Sequence, residues 1–183
     1  MATHIVTLND INRRLILLEN ASMTQIGVDE KVFHAEYDGS VSTDLGSGTT
    51  AGTLTTDYDT TDDFNYYQWL SANVALQDNT LVINFILPPN FAGWSAAAFN
   101  LSYMTSLVTA TDSKIKLNIL KNGVSVTSED NITSVSLNWV DKAISSSTLG
   151  SWSAGDKMTI QITMYAKSSN YARTADIKLA WIC

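Results

Sequence analysis

The stretch Thr80-Leu81-Val82-Ile83-Asn84-Phe85-Ile86-Leu87-Pro88-Pro89 decides the fold class. Leu81, Ile83, Phe85 and Leu87 recur at a period of two, the spacing of a β-strand, whose successive side chains leave opposite faces. Val82 and Ile86 make the other face apolar as well, which predicts a strand covered on both sides. Pro88 and Pro89 lack the amide hydrogen a ladder needs and end it.

The same period recurs downstream. Phe99, Leu101 and Tyr103 form a second set, and Ile115, Leu117 and Ile119 a third. Asn122-Gly123, between Lys121 and Val124, is a two-residue hairpin signal, because both residues tolerate the positive φ such a turn requires. Val124 and Val126 begin the return strand. Val135, Leu137 and Trp139 continue the alternation, Met158, Ile160, Ile162 and Met164 follow a Gly155-Asp156 turn, and Ile177, Leu179 and Trp181 come last. About seven or eight strands with no helix between them predict an all-β fold, a two-layer antiparallel β-sandwich of jelly-roll-like design.

The N-terminal third reads differently. Ile5, Leu8, Ile11, Leu15 and Leu18 fall on one helical stripe, with Thr7 and Asp10 as a weakened capping box, which predicts a short helix over about residues 8–20. A strand through Arg14-Leu15-Ile16-Leu17-Leu18 is the alternative. From Asp38 to Thr61 the chain is mostly Gly, Ser, Thr and Asp, notably Gly46-Ser47-Gly48-Thr49-Thr50-Ala51-Gly52, and has too little apolar surface to fold alone. The expected organisation is an N-terminal arm over 1–61, with its helix and linker, and a β-sandwich domain over 62–183.

Charge and composition exclude several functions. The 183 residues carry 11 Lys and Arg against 18 Asp and Glu, a net charge of −7, so the attraction to phosphate that drives nucleic-acid binding is missing. No apolar run approaches the length of a membrane span, and no basic stretch followed by an apolar run opens the chain, so neither membrane insertion nor secretion is expected. The single cysteine, Cys183, excludes an intrachain disulfide and a cysteine-based zinc site.

Catalytic chemistry has little to build on. The two histidines are His4 and His34, and no Gly-x-Ser-x-Gly elbow accompanies them. Alternation puts His34 and Glu36 on one solvated strand face. The expectation is a protein without enzymatic activity, catalytic residues or cofactor. Asp57, Asp59, Asp62 and Asp63 offer hard oxygen ligands suited to calcium, but the glycine and closing glutamate of a helix-loop-helix site are absent, and the favoured expectation is a solvated acidic loop with no metal. In the aromatic run, Tyr66, Tyr67 and Trp69 are candidates for a flat sugar-stacking surface, with Trp94 and Trp152 as further surface aromatics. Packing in the core or a subunit interface is the competing expectation.

Two longer motifs carry a resemblance. Asp78 to Trp94, in which an apolar strand ends in Leu-Pro before an aromatic and a glycine, resembles a pattern in small β-sandwich proteins from tailed-phage structural gene modules. Ser153-Ala154-Gly155-Asp156-Lys157-Met158 resembles the turn that opens a late strand in those proteins, and Ala175 to Leu179 their final strand. The sequence departs from the group at Met164-Tyr165-Ala166, where an arginine-bearing strand end is common.

The resemblance implies a virion structural protein assembled in the host cytoplasm, most simply a capsid decoration protein. Its implied partners are itself, as a homo-oligomer such as a trimer, and the major capsid protein or another virion protein. Ile5, Leu8, Ile11, Leu15 and Leu18 would then bury against a neighbour as the assembly arm. The alternative is a tail-fibre, receptor-binding or carbohydrate-binding β-sandwich module using Tyr66, Tyr67 and Trp69. A bacterial surface filament subunit is a third reading, disfavoured by the missing export segment.

Overall fold

The computed structural model describes residues 27–35, 40–43, 52–134 and 137–183. They form eleven strands: β1 (Val28–Phe33), β2 (Ser40–Thr43), β3 (Gly52–Asp59), β4 (Phe64–Ser71), β5 (Gln77–Ile86), β6 (Gly93–Thr105), β7 (Ser113–Lys121), β8 (Val124–Ile132), β9 (Val140–Ile144), β10 (Lys157–Ala166) and β11 (Asn170–Ile182). One helical turn, α1 (Ser146–Leu149), is capped by Ser145, whose side chain accepts from the Thr148 amide. Among the described residues no helix is long and apolar enough to cross a membrane.

The strands form two antiparallel sheets. The first runs β3-β4-β11-β6-β9, with β1 also paired to β11, and the second runs β2-β5-β10-β7-β8. From β4 onward the chain changes sheet at every connection except the β7–β8 hairpin, the winding that makes a jelly-roll-like sandwich rather than a meander. Each sheet turns one apolar row inward. Leu81, Ile83, Leu117, Ile160 and Ile162 from the second sheet meet Trp69, Phe99, Leu101, Ile177 and Leu179 from the first, all buried.

The hairpin signal takes the form its residues require. Asn122 and Gly123 have φ of 50° and 87°, and Lys121 pairs with Val124 across the turn. The Gly155-Asp156 turn is tied to it: the Asp156 carboxylate accepts from the Ser153 amide at 2.8 Å, from Asn122 Nδ2 at 2.7 Å and from Lys121 Nζ at 3.0 Å. The Ser153 amide, then Asn122 and Lys121, hold the Asp156 carboxyl below its ordinary value, and Lys114 does the same for Asp130.

Both carboxyls bind a proton less readily folded than unfolded. Their contribution to stability is therefore complete above the ordinary value of 3.8 and is lost as pH falls through the lower folded-state value. The urea midpoint is expected to hold down to about pH 5 and to drop below about pH 4. Asp156→Asn should lower the midpoint at neutral pH and flatten that acid limb; an unchanged limb would contradict the assignment.

Three expectations are corrected. β1, β2 and β3 all precede residue 62, so strands begin earlier than the linker composition implied. β3 is an edge strand, and along it only Leu54 packs on the core; an edge strand with one wet face has the Thr and Asp content of a linker. Val82 and Ile86 are not covered by a further layer among the described residues, and Ile86 is 67% exposed. The strand expected through Leu137 and Trp139 starts instead at Val140, because Leu137 has a φ of 59° and turns the chain. The helix expected near 8–20, the stripe from Ile5 to Leu18, Glu36 and Val135 lie outside the described residues.

Candidate functional site

The outer face of the first sheet is built by alternation. On β6, Phe99, Leu101 and Tyr103 are buried, so Asn100 and Ser102 face outward. Asn100 sits opposite Lys178 of β11 on one side and Ala143 of β9 on the other, while Ser102 sits opposite Asp141 and Glu30 of β1 opposite Ala180. Between the pairs Leu179–Phe99 and Trp181–Trp94, two steps along β11 correspond to five along β6. The extra length, Ser95 to Ala98, forms a bulge in β6 that exposes Ala96 and Ala97 and keeps Ala98 in the core.

The bulge borders a groove of about 550 Å³. Val28, Ala97, Phe99, Ala143 and Ala180 supply its largely apolar lining, and Glu30, Asp141 and Lys178 line it together with Asn100. A second concavity of about 530 Å³, reaching Glu129, Ser145 and Thr148, shares Ala97 and Ala143 with it. Each lies within the size range of small-ligand sites. Ala97 and Ala143 are exposed and small, while Val28, 62% exposed, adds a larger apolar side chain.

The polar groups are few and specific. Lys178 Nζ and Glu30 Oε2 are 2.6 Å apart and both half exposed, a pair worth little in water and open to exchange with a ligand. Ser102 Oγ donates to Asp141 Oδ1 at 2.6 Å. Asn100 Oδ1 is buried without a hydrogen-bond partner.

The outer face of the second sheet contrasts with this. Asn118 Nδ2 donates to Gln161 Oε1 at 2.9 Å, Ser125 Oγ to Asn118 Oδ1 at 2.6 Å, and Thr159 Oγ1 to Asn84 Oδ1 at 2.9 Å. There the carbonyl oxygens of Asn84, Asn118 and Gln161 each already accept a hydrogen bond.

The aromatic candidates do not form a surface platform. Trp69 is 2% exposed in the core, and its Nε1 donates to the Gln77 carbonyl at 3.1 Å. Tyr67 is half-buried against the same core. Tyr66 lies on the outer face but is 5% exposed: the Arg173 guanidinium stacks 4.6 Å from its ring, Trp139 packs against it, and its hydroxyl donates to Asp57 Oδ2. Trp94 and Trp152 are buried against each other.

Three of the four aspartates, Asp57, Asp59 and Asp63, accept from separate aromatic side chains. Asp59 accepts from Trp139 Nε1 at 2.9 Å, which with the Thr61 amide holds its carboxyl below the ordinary value. Asp63 accepts from the Tyr58 hydroxyl, and that bond raises the Tyr58 pKa. Among the described residues no group of three or more His, Cys, Asp or Glu converges as a metal site. His34 pairs with Asp176 at 2.9 Å outside the groove.

Sequence reasoning missed the groove. The available signal was Ala96-Ala97-Ala98 inside a strand otherwise rich in large side chains, but the bulge that gives it meaning comes from pairing with β11.

The chain matches no protein-family model and no curated protein sequence. Among solved structures it is similar to TmCBM61 in complex with β-1,4-galactotriose, at TM-score 0.49 and 11% identity over 90% of this chain and 92% of that one. It is similar to the family 11 carbohydrate-binding module from Clostridium thermocellum, at TM-score 0.47 and 16% identity over 84% of this chain and 96% of the other. A third likeness, at TM-score 0.45 and 11% identity, is to the enzymatically active domain of bacteriophage CBA120 tailspike protein 4, where 84% of this chain matches 19% of that one.

Proposed function

We propose that this chain is a non-enzymatic, glycan-binding β-sandwich module whose site is the groove on the outer face of the first sheet. The observation that carries the proposal is the groove itself, a concavity of about 550 Å³ in which apolar side chains meet Asn100, Asp141 and the Lys178–Glu30 pair. Sugars present hydroxyls that donate and accept at once, and the groove offers them an amide, the Asp141 carboxylate and the exchangeable Lys178–Glu30 pair beside an apolar surface that includes Val28, Ala97 and Ala143. The lining includes no histidine or cysteine.

This takes up the receptor-binding alternative. The decoration role, with its trimer and capsid partner, depends on Ile5, Leu8, Ile11, Leu15 and Leu18, which lie outside the described residues. Placement in a virion remains a proposal that the groove neither requires nor opposes. Native gels cast with soluble polysaccharides, together with a glycan array, test the function. Retardation by at least one glycan is expected; free migration in every gel and a silent array would contradict it.

A further inference from the structure

Resting on that function, we infer that the groove takes an oligosaccharide chain, laid across the strands and continued round the β9 edge into a second subsite at Glu129, Ser145 and Thr148. Register fixes the direction. Lys178 of β11 sits opposite Asn100 of β6, and Asn100 opposite Ala143 of β9, so the three form one row across the sheet. Glu30 of β1 lies opposite Ala180 in the next row. Neighbouring strands stand about 4.8 Å apart, so the path from β1 through β11 and β6 to β9 spans about 14 Å, more than one sugar ring covers.

The second concavity extends that path. It shares Ala97 and Ala143 with the groove, so the two meet over these exposed alanines. It then reaches Glu129 of β8, an edge strand of the second sheet, and Ser145 and Thr148 at the α1 turn. Its volume, about 530 Å³ against about 550 Å³, nearly equals that of the groove. The chemistry recurs as well. Glu129 Oε2 and Lys142 Nζ are 3.1 Å apart and partly exposed, as are Glu30 and Lys178 at the other end, and Thr148 adds an exposed hydroxyl. A chain that reaches both places gains the second set of contacts without a second loss of translational freedom, so affinity rises with length until both are filled.

The test is calorimetric titration of the full chain with oligosaccharides, from monosaccharide to hexasaccharide, released from a polysaccharide that retards it in the gel. Affinity should rise by on the order of 10- to 100-fold from the disaccharide to the longer members and then level. The ratio of hexasaccharide to disaccharide affinity is the readout. Thr148→Trp, which fills the second concavity with an indole, should bring that ratio close to unity, and Glu129→Ala, which removes a polar group from the same place, should lower it. Equal affinity or none along the series, or a ratio that survives both variants, overturns the inference and leaves glycan binding standing. Free migration past every polysaccharide with a silent array overturns both.

Discussion

Ala143→Trp is expected to weaken glycan binding at least about 100-fold, a loss near 2.7 kcal/mol, with little change in stability. Ala143 is exposed on β9, faces Asn100 across the ladder and lines both concavities. An indole there fills the space a sugar ring would take. The inward neighbour, Ile144, remains 3% exposed in the core, so the sandwich has no reason to unfold. Titration and a urea melt of the same preparation check both halves, and undiminished binding by a folded variant would place the ligand elsewhere.

Trp69→Ala is expected to cost about 3–5 kcal/mol of unfolding free energy. The indole lies so close over Gly52 that a Cβ there would collide with it, and it joins the β3–β4 edge to the core. Its removal leaves a cavity and deprives the Gln77 carbonyl of the bond from Nε1. Against a typical total of about 5–15 kcal/mol this is a large fraction. Urea unfolding followed by circular dichroism measures it, and a loss below about 1 kcal/mol would contradict the packing described.

The inner rows were legible because burial on one face forces a period of two. Leu81 and Ile83, then Ile115, Leu117 and Ile119, then Met158, Ile160, Ile162 and Met164, and finally Ile177 and Leu179 all point inward as their spacing implied. The Asn122-Gly123 turn was legible because few residue pairs accept its φ values. β1 and β3 were not, since edge strands bury little and leave a weak apolar signal. The aromatic run misled for a related reason: alternation sends Trp69 inward and Tyr66 outward, and Trp139, distant in sequence, covers Tyr66. The groove depends on a register shift between β6 and β11 that no local pattern encodes.

The most direct test of the central claim is to map amide chemical-shift changes as a gel-retarding glycan is added to the isotope-labelled protein. The account predicts changes concentrated at Ser95 to Asn100, at Asp141 to Ile144 and around Lys178 to Ala180. Changes confined to the outer face of the second sheet, at Thr159, Gln161 and Tyr165, would contradict it.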